Sequence, residues 1–236
     1  VSQSKIWKTY GSKGVSLSEE TRMEIQKRIK ESDRVLDVGS AKCIFNRADY
    51  ILDILSYEDR STNKSWGPER EFFTKESWIQ SDIHEKFPFE DKYFDFSMCT
   101  HTLEDIKDPI SVCKELIRVS KSGYIECPSR EIESVMSLKT PGLVGYGNHR
   151  WFVDIEGSVV TFTNKTPYVY TDSSLTLDKK DVSTTYVGLF WNNSFDVKER
   201  VLIGTKETIE DQRSFVKKIK NSSYSFENCH SGFYKA

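Results

Sequence analysis

The stretch RVLDVGSAKCIFNRADYILDI, residues 34–54, limits the possible folds more than any other part of the chain. RVLDVG reads as a buried β-strand ending at a turn glycine, Gly39, and DYILDI as a second apolar strand ending in an acid, Asp53. The interval between Gly39 and Asp53 leaves little room for a full helix. Strand, sharp turn and acid-tipped strand together are the start of a ligand-binding α/β sheet, provided that further strands and crossover helices follow.

They do follow. SLSEETRMEIQKRIKES predicts a helix, with Ser16 and Glu19 as a capping box and Met23, Ile25 and Ile29 as its apolar face. SWIQSDI (77–83) and YFDFSMCT (93–100) read as strands, the latter apolar or small along most of its length. In DPISVCKELIRVSKSG, Asp108 caps a helix, Pro109 takes its first position, Ile110, Cys113, Leu116 and Ile117 form one face, and Gly123 ends it. YIECP is a strand stopped by Pro128. The alternation over residues 16–130 predicts a Rossmann-like α/β fold, a doubly wound, mostly parallel sheet. Such sheets bind ligands at the carboxyl ends of their strands, which aligns Gly39, Asp53, Asp82, Thr100 and His101 along one edge.

From Ser158 the texture becomes β-like (SVVTFT, YVY, STTYVGLFW, SFDVKERVLI), and TKETIEDQRSFVKKIK closes the chain as an amphipathic helix. The expected organisation is a core over 1–157, with an N-terminal arm and a lid loop at about 138–152, and a β-rich extension with a C-terminal helix over 158–236 in the same domain. TPGLVGYGNHRWF, rich in glycine and aromatics, supplies the lid.

Charged residues make up 30% of the 236, yet the formal net charge is −2, so no basic field points to nucleic acid. KKIK (217–220) reads as a solvated helix face. No apolar run reaches membrane-spanning length and no signal peptide opens the chain, which implies a cytoplasmic protein. The five cysteines form no C-x-x-C pair, which suggests a reducing compartment and no structural zinc. The carboxylates show no metal-ligand spacing. Val rather than Met at position 1 suggests one domain of a longer polypeptide.

The dinucleotide pattern G-x-G-x-x-G is absent, because GSAKCIF offers only Gly39. A pyrophosphate needs close backbone approach at a helix N-terminus, which the missing glycines hinder. S-adenosylmethionine carries no phosphate. It needs a loop that passes its amino-acid tail, an acid for the ribose hydroxyls and a polar group near the adenine. One turn glycine can suffice, so this cofactor is favoured over a nicotinamide.

The residues RVLDVGS, RADYILDI, SDIHEKFPFEDKYFDFSMCTHTLEDIKDP, KELIRVSKSGYIECPS and HRWFV, in that order, resemble the class I S-adenosylmethionine-dependent methyltransferases of the type-11-like group. The likeness runs from Arg34 to Val153 and leans to the branch found near polysaccharide and glycan biosynthesis genes. The tyrosine-, lysine- and asparagine-rich style is similar to chlorovirus-like glycan-synthesis proteins. The resemblance implies that Gly39 and Ser40 line the methionine tail, with Asp37 bracing the loop or meeting the amino group. It places Asp53, with Ile54 beside it, on the ribose, Asp82 and the Ile83 backbone on the adenine, and Thr100 and His101 beside the sulfonium. Two departures stand out: AKC occupies the place of a second small residue or glycine, and HTLED replaces H-x-L-E-H, so that Asp105 stands where a second histidine is usual.

What the resemblance implies functionally is O-methylation of a sugar hydroxyl on a glycan or its precursor, a deoxysugar such as rhamnose being favoured. The base would be His149 or His101, with Asp105 or Glu104 as orienting carboxylate. Arg150 would hold acceptor oxygens, Glu104 would bind the acceptor, and Trp151 would offer an aromatic face. Plainer readings stand beside these: Asp53 as a loop cap, His101 satisfied by a backbone partner, Trp151 and Phe152 as core, His84 and His230 as surface residues, and Tyr10 in a packed N-terminal arm rather than over the cofactor. A non-catalytic methyltransferase-like module that binds glycan or a partner enzyme, and a small-molecule methyltransferase, are the alternatives.

Overall fold

The computed structural model describes residues 17–40, 42–61, 64–166, 172–223 and 233–235. Tyr10, Ser16, the YVY stretch at 168–170, Cys229 and His230 lie outside them. The chain divides into two compact units. One holds the residues up to Thr100 with Glu115–Tyr124 and Asn192–Ser194; the other holds His101–Lys114, Ile125–Trp191 and the residues from Phe195.

The first unit begins with α1 (Glu19–Arg28) and continues through β1 (Val35–Val38), β2 (Ile44–Phe45), β3 (Tyr50–Asp53), β4 (Ser65–Trp66), β5 (Trp78–Gln80) and β6 (Phe94–Thr100). It also takes the last turns of α2 (Pro109–Val119) and the first half of β7 (Ser120–Pro128). Its strands lie in the order β7-β6-β1-β3-β5. Every residue of β1 is buried, and β1 pairs in parallel with β3 and β6, as β3 does with β5. Val38 sits opposite Leu52 and Cys99, and Asp53 opposite Gln80, so the carboxyl ends of four strands share one edge. This is the mostly parallel, Rossmann-like sheet that the sequence predicted.

The second unit contains α3 (Arg130–Glu133), β8 (Trp151–Glu156), β9 (Val159–Asn164), β10 (Tyr186–Asn192), β11 (Asp196–Arg200), α4 (Gly204–Ser223) and β12 (Phe233–Lys235), with Asn192 falling in the first unit. β12, β10 and the second half of β7 are neighbours in that order, and β11-β9-β8 form a separate sheet. β8 and β9 are an antiparallel hairpin turned at Gly157, whose φ of 58° suits glycine. These are the additional strands expected after Ser158. Trp151 and Phe152 belong to β8, and the stretch before them folds inward at Val144, Gly145 and His149, all buried.

Three local expectations need correction. The cap of α1 is Ser18, whose Oγ accepts from the Thr21 N–H at 3.0 Å. Its inner face follows the i, i+4 series Thr21, Ile25 and Ile29, which leaves Met23 42% exposed. Gly123 does not end α2 but lies within β7. Lys92 does that work instead: its Nζ donates to the carbonyls of Ile117, Ser120 and Asn193 at 2.7, 2.9 and 2.9 Å. The predicted start of α2 holds, with Asp108 Oδ1 accepting from the Ser111 N–H at 3.0 Å.

No described residue between β1 and β3 is helical. The segment is anchored by Arg47, which is 1% exposed. Its guanidinium donates to Asp49 Oδ2 at 2.8 Å and to the carbonyls of Asp33 and Glu31 at 2.7 and 3.1 Å. Leaving buried acceptors unpaired costs about 1–3 kcal/mol each. Arg47→Met is therefore expected to destabilise the protein by on the order of 3 kcal/mol, read as a lower midpoint in urea with an unchanged m-value.

Candidate active site

In the first unit, β1 delivers Asp37 and the turn that follows. Gly39 has φ 73°, a conformation that costs other residues, and its N–H donates to the Leu52 carbonyl at 2.9 Å. Asp37 is 1% exposed and Ser40 5%. Asp37 Oδ2 accepts from the Phe45 N–H at 3.0 Å; Asp37 Oδ1 and Ser40 Oγ make no hydrogen bond of full geometry with a described residue, although the Ser40 hydroxyl is near enough to favour the Asp37 carboxylate. Burial, with the charge of Asp53 adding to it, pushes the Asp37 pKa up to about 7. Two buried polar atoms beside a positive-φ glycine suit the ammonium and carboxylate of an amino-acid tail, which is what S-adenosylmethionine would present to this loop.

Asp53 is buried, and its Oδ1 accepts from the Leu55 N–H at 2.8 Å, so part of the carboxylate does serve as a loop cap. Ile54 is 65% exposed and Ile83 is buried. Asp82 is exposed and holds the His84 N–H at 3.0 Å and the His84 ring at 2.7 Å, interactions that lower its pKa. Thr100, half-buried, ends β6. The cofactor residues predicted in this unit thus come together along the carboxyl edge of one sheet.

The second unit gathers the histidines. His101 takes φ 54°, unusual for a residue with a side chain, and its N–H donates to the Glu126 carbonyl at 2.9 Å. Its Nε2 lies 3.1 Å from Glu126 Oε1 and its Nδ1 3.8 Å from Glu104 Oε1. The Tyr186 ring stands edge-on at 4.9 Å. His149, 8% exposed, has Nδ1 at 2.6 Å from Glu133 Oε1 and Nε2 at 3.6 Å from Asp105 Oδ1, and stacks on Tyr146 at 4.6 Å. Burial opposes its charged form, but the carboxylates of Glu133, Glu104 and Asp105 outweigh it and raise its pKa. Glu133 is wholly buried and also accepts from Lys165 Nζ at 2.7 Å. Glu104 is 1% exposed, and burial, with Asp105 adding, pushes its pKa to about 7 against the pull of His101 and His149.

Asp105 accepts from Asn148 Nδ2 at 2.8 Å. The Arg150 side chain is exposed, while its backbone ties to Glu104 and Lys165. Trp151 is 9% exposed, donates from Nε1 to the Ile106 carbonyl at 2.9 Å and packs on Phe162, which accounts for it structurally. Sequence reasoning missed Glu126, Glu133 and Lys165. An acid within the buried run of β7, and another amid the apolar residues of IESV, were available signals; Lys165 carried none. Among the described residues no group of three or more His, Cys, Asp or Glu could hold a metal ion, and no helix is long and apolar enough to cross a membrane.

Two expectations follow. Gly145 has φ 63°, and a Cβ there would overlap the Glu133 carbonyl and lie 2.6 Å from its carboxylate and 2.8 Å from Lys165 Nζ. Gly145→Ala should therefore lower the melting temperature sharply, with loss of the His149–Glu133 contact visible in the histidine NMR signals. The raised Asp37 pKa means that its stabilising protonated form is fully present below about pH 4 and lost as pH rises through about 7. Asp37→Asn should match the wild type in melts at pH 4 and exceed it at pH 8.

Residues 36–125, less than half of the chain, match the family described as a methyltransferase domain, type 11. No curated protein matches the chain. Among solved structures it is similar to a proposed methyltransferase of Bacillus halodurans (16% identity over 46% of this chain and 50% of that one, TM-score 0.32). It is also similar to an S-adenosylmethionine-dependent methyltransferase of Mesorhizobium loti (13% identity, 61% and 62%, TM-score 0.34). A third is the PH0226 protein of Pyrococcus horikoshii (18% identity, 58% and 71%, TM-score 0.32). The chain spans about half the length of the Bacillus protein. The family match indicates S-adenosylmethionine as the cofactor, as the chemistry of the Gly39 loop predicted.

Proposed function

We propose that this chain is an S-adenosylmethionine-dependent O-methyltransferase whose acceptor is a sugar hydroxyl of a glycan or glycan precursor, a deoxysugar such as rhamnose being favoured. The observation that carries the reading is the carboxylate–imidazole cluster of buried Glu104 and His149 and half-buried His101, with their partners Glu126 and Glu133. A sugar hydroxyl is a weak nucleophile, and a group positioned to take its proton contributes about 10²- to 10⁴-fold. The sugar itself is favoured by the resemblance of the sequence to the glycan-biosynthesis branch.

When bound, the cofactor supplies a methyl group activated by the positive sulfur. Asp37, Gly39 and Ser40 would hold its amino-acid tail, Asp53 with Ile54 its ribose, and Asp82 with Ile83 its adenine. Thr100, at the end of β6, would face the sulfonium, as the resemblance implies for it and for His101. Orientation of the acceptor, to which Arg150 and Asp105 would contribute, can supply about 7–11 kcal/mol of the barrier reduction.

S-adenosylhomocysteine at 100 times its dissociation constant should add about 2.7 kcal/mol, a rise in melting temperature of roughly 5–10 °C, with none from NAD⁺. Transfer of labelled methyl to a rhamnoside among a panel of glycosides then identifies the acceptor. A melt unmoved by the homocysteine compound would favour the non-catalytic module instead; a shift with transfer only to non-sugar molecules would favour a small-molecule methyltransferase.

A further inference from the structure

Both histidines of the cluster already face carboxylates through each ring nitrogen: His101 between Glu126 and Glu104, His149 between Glu133 and Asp105. His149 is moreover held towards its charged form, which has no lone pair with which to accept a proton. Glu104 differs from both. Its side chain is 1% exposed, Oε1 faces His101, and Oε2 has no hydrogen-bond partner among the described residues. A buried carboxylate oxygen without a donor is costly, and a donor supplied by a ligand removes that cost.

From this geometry we infer that Glu104, rather than either histidine, is the group that takes the proton from the acceptor hydroxyl, with His101, held by Glu126, as its positioning residue. The inference rests on the reading of the chain as an O-methyltransferase. In the step, the acceptor oxygen forms a bond to the transferred methyl carbon and the carbon–sulfur bond breaks with its electron pair left on sulfur. The hydroxyl proton passes to Glu104 Oε2, giving a neutral carboxyl that loses it to water before the next turnover.

The surroundings agree. His101 and His149 favour the ionised form of Glu104, and Asp105 and burial oppose it, the balance standing at about 7. The phenols of Tyr146 and Tyr186 feel the same carboxylate, and burial first of all raises their own pKa values, so both stay neutral across the range in which Glu104 titrates. A base with a pKa near the working pH combines availability with driving force. The left-handed backbone of His101, secured by the Glu126 carbonyl, directs its ring at Glu104.

The first test needs no acceptor. In protein labelled with ¹³C at the glutamate carboxyls, one resonance should titrate near pH 7, vanish in Glu104→Gln, and move to higher pH in His101→Asn, which removes the imidazole that favours the carboxylate. No such resonance, or one that persists in Glu104→Gln, would overturn the inference whatever the acceptor proves to be. The second test is methyl transfer to the glycoside panel. Glu104→Gln should lose 10²- to 10⁴-fold in kcat while S-adenosylhomocysteine still raises its melting temperature, and His149→Asn should keep the acid limb of the pH profile. An acid limb abolished by His149→Asn and kept by Glu104→Gln would make His149 the base and overturn the inference. The expected titration together with no transfer to any glycoside would count against the sugar acceptor alone.

Discussion

The carboxylate of Glu133 is the point on which the second unit depends. It is fully buried, and such a charge is tolerated only when paired and hydrogen-bonded. Lys165, placed immediately after β9, and His149, immediately before Arg150 and β8, provide the pairing, and the Tyr146 N–H adds a longer contact at 3.3 Å. Lys165 Nζ also donates to the Tyr146 carbonyl at 3.0 Å, so the loop through Gly145 and Tyr146 is fastened from both sides. Removing one member would leave the others as uncompensated buried charges, which is far more costly than the pair is favourable. The ordering of α3, the loop and the β8–β9 hairpin is therefore electrostatic as much as hydrophobic.

The first unit meets a different constraint. A parallel sheet whose central strand is wholly buried presents its functional groups only at its edge, and β1, β3, β5 and β6 end in register there. Asp37 is drawn inside with one oxygen satisfied by Phe45 and one left open. Among its described residues the segment from β1 to β3 has no crossover helix, and Arg47 anchors it instead by tying it to backbone carbonyls near the start of β1. The stacked rings of Phe45 and Trp66, 4.1 Å apart, close the other side.

In both units a buried acid with one oxygen open, Asp37 in the first and Glu104 in the second, has its pKa moved up to about 7, while burial also raises Asp154 despite the facing Arg130. Burial is the larger cause in each case, and Asp37 and Glu104 share the same structural signature, one carboxylate oxygen engaged and the other open. Paired acids such as Glu133 spend their charge on architecture. That distinction separates the groups that fix the fold from those available to a ligand.

Much of this was legible in the sequence where the physics is local. Apolar runs identified β1, β3 and β6, the Asp108–Pro109 pair identified the start of α2, and the turn glycine and strand-end acids marked the carboxyl edge of the sheet. Local rules failed where a distant group took over the role of a chain neighbour. Gly123 was not needed to end α2 because Lys92 reaches its last carbonyls, and the cap of α1 fell to the serine nearest the first turn. Glu126, Glu133 and Lys165 were invisible as functional partners because their meaning depends on who lies opposite. The sequence by itself determined the alternation of strands and helices and the chemistry of the Gly39 turn, since both depend on neighbours along the chain. Only the tertiary structure decided which carboxylates are paired and which keep an open oxygen, because that depends on burial and on partners such as Lys165 and Glu133, brought together across 32 positions of sequence.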